Sequence, residues 1–170
     1  MDARPYVTAL KGNAAAIVAL ARTLPSDQVR WRPAADAWST LEVINHLVDE
    51  EREDFRTRVD YILHRPGEAP PPIDPAGWIT ARAYNARDPD ESLARFQAER
   101  QRSLEWLHGL SSPDWSRSYQ LPSGQALRAG DLLAAWTAHD LLHLRQLVDI
   151  QYHWRVSQVA PYSVDYAGPW

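Results

Sequence analysis

The sequence of 170 residues predicts an all-α protein: a four-helix bundle with long crossing loops. Four segments carry apolar residues at three- and four-residue spacing, which is the period of one helix face. Segments rich in Pro and Gly separate them, and no segment alternates convincingly enough to predict strands beyond a short hairpin. A chain of this length suits one core, so residues 1–170 are expected to form a single domain.

The first two helices are expected over about Tyr6–Leu24 and Ser39–His64. Apolar residues recur along both segments, and a proline follows each of them. Ser39 and Glu42 form an S-x-x-E capping box, in which each side chain satisfies a free backbone N–H of the other residue. The second helix therefore begins at Ser39, after a connection over residues 26–39.

The third helix follows a loop rich in Pro and Gly at residues 66–77. Trp78–Tyr84 can add a short turn of helix before it. Asp88 as N-cap and Pro89 as first helical residue then predict a helix that continues to about His108.

The fourth helix is expected from near Asp131 to about His153, after a second long connection over residues 111–129. Pro122, Ser123 and Gly124 predict a turn within that connection. The aromatic tail, residues 154–170, is expected to pack on the bundle through Tyr162, Tyr166 and Trp170.

Composition excludes several functional classes. The formal net charge of −4 argues against a nucleic-acid partner, which would require a basic face. The absence of Cys leaves His and carboxylates as the metal ligands. No signal peptide and no apolar run of membrane-spanning length is recognisable, so we expect a cytoplasmic protein without a membrane partner.

The strongest chemical signal lies in the fourth helix. His139 and His143 are four residues apart, so their imidazoles lie one turn apart on one helix face and can chelate one metal ion. The shared face is mostly apolar, and two hydrogen-bonded core histidines are the alternative. Position 140 is Asp, so the H-E-x-x-H protease motif is absent. Trp136, one turn earlier, is expected in the core rather than in a pocket wall.

A third histidine, His46, lies in the second helix on a polar face. That face also carries Asp49 and Glu50, and it either is solvated surface or lines a wet cleft near a metal. Asp49, Glu50 and Asp140 are the candidates for orienting a ligand or accepting a proton, and the first two have the better spacing from His46. His64, His108 and His153 lie near helix ends and are expected on the surface.

Two blocks of sequence resemble the DinB-like superfamily. RWRPAADAWSTLEVINHLVDEE is similar to its second-helix signature, and GDLLAAWTAHDLLHLRQL is similar to its fourth-helix signature with paired histidines. The resemblance implies a DinB/YfiT-like four-helix bundle, frequent homodimers, and a metal site formed by His46, His139 and His143. Members of known activity use a metal to activate a low-molecular-weight thiol such as mycothiol or bacillithiol.

A metal-dependent thiol S-transferase or related hydrolase-type enzyme is therefore the leading hypothesis. Three imidazoles suit zinc, nickel or iron and leave a coordination position open; Asp49 and Glu50 are the catalytic candidates. The alternative is a non-enzymatic, metal-stabilised stress-response or binding protein. In such a protein a fourth protein ligand would fill the remaining coordination position of the metal. A third possibility is a bundle kept for dimerisation, with the three histidines as a relic.

Overall fold

The computed structural model confirms the all-α bundle and describes residues 1–121 and 123–170. Pro122, which the sequence places in a turn, lies outside the described residues. The α-helices are α1 (Arg4–Ala21), α2 (Ser26–Arg30), α3 (Thr40–Asp49), α4 (Arg56–His64), α5 (Pro75–Ala81), α6 (Pro89–Gly109) and α7 (Ala129–Gln158). A π-helical turn, Glu50–Phe55, joins α3 to α4, so that the two helices and the turn form the predicted second helix.

The predicted helix starts are confirmed at two caps. Ser39 Oγ accepts a hydrogen bond from Glu42 N at 3.2 Å, and Glu42 Oε2 accepts one from Ser39 N at 2.8 Å. Asp88 accepts a hydrogen bond from Glu91 N at 2.9 Å, directly before Pro89. α7 is longer than predicted by a few residues at each end, where helix boundaries are least certain from sequence.

The connections contain more structure than the sequence indicates. α2 lies in the segment that was expected to be a plain loop, because five residues are too few to show helical periodicity. The crossing segment after α4 contains α5 and a 3₁₀ turn, Tyr84–Ala86. Strands β1 (Ser118–Gln120) and β2 (Ala126–Arg128) form an antiparallel hairpin in which Tyr119 pairs with Leu127.

The core consists of two apolar clusters with a polar layer between them along the helices. One cluster includes Leu10, Phe55, Leu104 and Trp136, and the other includes Ile17, Val48, Phe96 and Leu147. Each long helical segment contributes residues to both clusters. The buried polar residues Glu51, Arg100, Asp140 and His143 fall between those contributions in sequence.

The aromatic tail contacts the bundle through one of its three aromatic anchors. Trp170 stacks on Tyr152 with ring centroids 4.1 Å apart and donates a hydrogen bond to Asp149 at 2.9 Å. Tyr162 and Tyr166, expected to pack in the same way, are exposed to solvent. Across residues 1–121 and 123–170, no helix has both the length and the apolar composition of a membrane span.

Candidate metal centre

The structure brings together the three histidines that the sequence singled out. His46 on α3 faces His139 and His143 on α7, and one ring nitrogen from each lies within 4.8 Å of the others. The Nε2 atoms of His139 and His143 are 3.2 Å apart. We call this group the histidine cluster. Within the described part of the chain, no carboxylate oxygen joins it.

The three imidazoles are neutral at physiological pH. Burial, followed by the charges of His143 and His139, lowers the pKa of His46 to about 3. Burial, followed by the charges of His143 and Arg100, lowers the pKa of His139 to about 4. The pKa of His143 is also lowered by burial. Neutral imidazoles keep the lone pairs that a metal requires, and no ligand proton has to be released at pH 7.

Hydrogen bonding also fits a metal site. His143 Nδ1 lies 2.8 Å from Gln146 Oε1, so Nδ1 carries the ring proton and Nε2 presents a lone pair toward His139. His46 Nδ1 is buried and has no hydrogen-bond partner among residues 1–121 and 123–170. One ring nitrogen from each of the three histidines lies within 4.8 Å of the others, an arrangement that suits a cation between them, so these residues could hold a metal ion.

Aromatic rings enclose the histidine cluster. The Trp38 ring lies 4.9 Å from the His46 ring and is nearly parallel to that of His143, at 6.2 Å. Phe55 packs against His139 at 5.1 Å. Trp136 belongs to the core, as predicted. Its side chain is buried and its ring stacks on Phe55 rather than on a histidine. Trp38 was not assigned to the site from sequence, because only the fold places the loop before α3 over α7.

The polar face of α3 is buried rather than solvated. Asp49 is 2% exposed because the crossing segment covers it. Tyr84 donates its hydroxyl hydrogen bond to Asp49 Oδ2, and Arg82 and Arg52 contact the same carboxylate at 2.6 and 3.0 Å. Both Asp49 oxygens are therefore already paired.

Glu50, the second catalytic candidate, is in a different electrostatic state. Burial raises its pKa to about 8, and a hydrogen bond with the neighbouring Asp54 carboxyl raises it in the same direction. Glu50 is therefore mostly protonated at pH 7 and can act as a proton donor.

A buried ion network accounts for the charged position within the third helix. Arg100 lies between Glu51 and Asp140, and all three are at most 2% exposed. In the sequence, Arg100 interrupts the apolar stripe that Phe96 and Leu104 mark on α6. His64, His108 and His153 are exposed, as predicted, although His64 does contact Asp60 at 2.9 Å.

A pocket of about 470 Å³ is lined by Trp38 and Gln146, which contact histidine rings of the cluster, although none of the three histidines lines it. Asp36, Asp149 and Trp170 are among its other lining residues. A larger pocket of about 600 Å³ lies between α1 and α6 and includes none of the three histidines in its lining.

Fold and site together define a helical bundle with a potential tri-histidine metal centre. The chain belongs to the DinB superfamily, whose family model matches residues 9–147. No curated protein sequence matches the chain.

Two solved structures share the fold. YfiT from Bacillus subtilis, described as a probable metal-dependent hydrolase with an unusual four-helix bundle topology, is 18% identical, with a TM-score of 0.79. The alignment covers 89% of this chain and 87% of YfiT. A mycothiol-dependent maleylpyruvate isomerase is 13% identical, with a TM-score of 0.69, and the alignment covers 86% of this chain but 61% of the isomerase.

Proposed function

We propose that this protein is a metal-dependent thiol S-transferase or a related enzyme that holds a divalent ion in the histidine cluster. The observation that carries the proposal is the convergence of three neutral imidazoles, two buried and that of His139 half-buried, without a carboxylate among them. Such a set leaves a coordination position open for a ligand. The mycothiol-dependent isomerase with the same fold supports a low-molecular-weight thiol as the substrate class.

The residues around the cluster would position the reactants. A divalent ion supplies Lewis-acid activation, which lowers the pKa of a bound thiol or water. Gln146 holds the His143 ring in one orientation, and Trp38 restricts the approach to it. The adjoining pocket of about 470 Å³ is large enough for the organic part of a small substrate.

Of the two carboxylates expected to be catalytic, Glu50 is the better candidate for proton transfer. Its raised pKa, about 8, means that it holds a proton at neutral pH and can exchange it there. Asp49 is fully engaged by Tyr84 and two arginines, which supports a role in fixing the end of α3. The carboxyl group of Glu50 is not part of the histidine cluster, so Glu50 would act through a bound substrate or water.

We also propose a homodimer. Leu141 and Leu142 on the outer side of α7 are 58% and 55% exposed, and Val148 lies one to two turns further along. Clustered exposed apolar side chains favour a protein partner. Light scattering after size exclusion, on the wild type and on Leu142→Glu, would measure the mass; a monomeric wild type contradicts the dimer.

Metal analysis of the purified protein tests the function first, with His143→Ala as the control. About one zinc, nickel or iron per chain in the wild type, lost in His143→Ala, is the expected result. The metal-loaded protein would then be assayed with thiols and electrophiles. Metal without any such activity favours the alternative, a non-enzymatic metal-stabilised binding or stress-response protein, which the near-complete burial of His46 also suits.

A further inference from the structure

One guanidinium joins all four long helical segments in the polar layer of the core. Arg100 on α6 donates from Nη1 and Nη2 to the two carboxylate oxygens of Asp140 on α7, at 2.7 and 2.8 Å. Its Nε donates to Glu51 Oε1 in the π-helical turn at 2.8 Å. Nη1 also donates to the carbonyl oxygen of Leu10 on α1, at 2.7 Å. We call Arg100, Glu51 and Asp140 the arginine network.

The arginine network carries a surplus negative charge. It contains two carboxylates and one guanidinium, all at most 2% exposed. The other buried carboxylates each pair with at least one arginine outside this network or hold a proton. Glu42 pairs with Arg32, Asp49 with Arg52 and Arg82, Glu99 with Arg56 and Arg102, and Glu50 is mostly protonated at pH 7.

One oxygen of the network is also unsatisfied. Glu51 Oε1 accepts hydrogen bonds from Arg100 and from the Trp136 indole N–H, at 2.8 Å each. Glu51 Oε2 is buried and has no partner anywhere in residues 1–121 or 123–170. An unpaired carboxylate oxygen in the interior costs free energy, unless a nearby positive charge compensates it.

The arginine network and the histidine cluster are neighbours. Asp140 directly follows His139 and precedes His143 by three residues, and Phe55 packs against both His139 and Trp136. The histidine cluster itself provides three neutral ligands and no negative charge. A divalent ion there would bring two positive charges into a poorly screened interior. The negative charge of Asp140 acts on His143, whereas the positive charge of Arg100 acts on His139. Two carboxylates against one guanidinium leave the balance of the network negative and therefore attractive to the ion.

We propose that the arginine network supplies the buried negative charge that stabilises a divalent cation in the histidine cluster. The inference rests on the proposed metal site and adds to it residues that contact no metal. Glu51 is the first residue to test, because its Oε2 atom has no hydrogen-bond partner among residues 1–121 and 123–170.

Glu51→Gln tests the charge with little change in shape. The amide keeps the Oε1 acceptor for Arg100 and Trp136, removes the negative charge, and places an NH2 group at the buried position of Oε2. Zinc affinity would be measured by competition with a chromophoric chelator, and folding by circular dichroism and urea unfolding. We expect the Kd for zinc to rise about 10- to 100-fold. Trp136→Phe is the matched control, since it removes a hydrogen bond to the same oxygen but no charge, and it should not weaken zinc binding.

Asp140→Asn removes the same unit of charge from the opposite side of the network and should weaken zinc binding in the same way. It decides the question if Glu51→Gln does not fold. A folded charge variant that binds zinc as tightly as the wild type overturns the inference, as does an equal loss in Trp136→Phe. A wild type that binds no zinc, nickel or iron instead refutes the metal site itself, so the two failures are distinguishable.

Discussion

Acid should destabilise the metal-free protein, and the histidine cluster predicts how much. Burial lowers the pKa of His46 to about 3 and of His139 to about 4, from 6.5 in the unfolded chain. Below pH 6.5 the unfolded chain therefore binds protons that the folded protein does not. The contribution of these groups to stability is fully present above pH 6.5 and is lost progressively as the pH falls toward the folded values.

The size of the loss follows from the two pKa values. At about pH 5 the two imidazoles are protonated in the unfolded chain and still neutral in the folded protein. Each costs about 1.4 kcal/mol per pH unit below 6.5, or about 2 kcal/mol at that pH. His46 and His139 together should lower the free energy of unfolding by about 4 kcal/mol at that pH. This is a large part of the roughly 5–15 kcal/mol that typically stabilises a domain.

Urea unfolding of chelator-treated protein at about pH 7.5 and about pH 5 measures this loss. The comparison is with the double variant His46→Asn/His139→Asn, which lacks both groups. His153→Asn, at an exposed position, controls for the loss of an imidazole. The wild type should lose about 4 kcal/mol more than the double variant between the two pH values. Equal losses in both proteins would refute the argument that burial keeps these imidazoles neutral.

Three further predictions concern the metal, a buried acid and a helix cap. Free zinc at about 100 times its Kd should add about 2.7 kcal/mol of stability and raise Tm by about 5–11 °C, and calorimetry should show no such shift in His143→Ala. Burial raises the pKa of Glu50 from 4.5 to about 8, so the folded protein keeps this proton more tightly than the unfolded chain does. The resulting contribution to the free energy of unfolding is fully present below pH 4.5 and is lost as the pH rises through about 8. The free energy of unfolding of Glu50→Gln, measured with urea, should therefore fall less between pH 4.5 and about 8 than that of the wild type. An equal fall in both proteins contradicts a buried, protonated Glu50. Ser39→Ala should lose about 0.5–2 kcal/mol in the same assay, because the N-cap of α3 is removed. No loss would mean that the capping box is not stabilising.

Local signals predicted the helices and placed two of the three histidines of the cluster on one helix face. The capping box at Ser39 and the Asp88-Pro89 start act within a few residues, so the sequence alone defines them. The spacing of His139 and His143 places both on one helix face, whatever the rest of the fold does. The position of His46 beside them came from the family resemblance, because helical periodicity says nothing about which face meets which neighbour.

What the sequence did not define depends on contacts between distant segments. The polar face of α3 could be read as solvated surface, since its burial requires Tyr84 and the crossing segment to cover Asp49. Trp38 belongs to the site only because the loop before α3 lies against α7. Arg100 shows how a charged residue within an apolar stripe can mark a buried network; the sequence gives the position of the charge but not its partners.

If the histidine cluster binds a metal ion, as we propose, the polar layer would link the stability of the fold to occupancy of that site. The polar layer contains three neutral imidazoles, together with a His46 nitrogen and a Glu51 carboxylate oxygen that have no hydrogen-bond partner among residues 1–121 and 123–170. Apolar clusters on both sides hold this layer in place, although the layer itself is costly. A bound divalent ion would satisfy the imidazoles and offset the surplus charge of the arginine network at the same time. Since the unfolded chain offers no such arrangement, most of that binding free energy would stabilise the folded state.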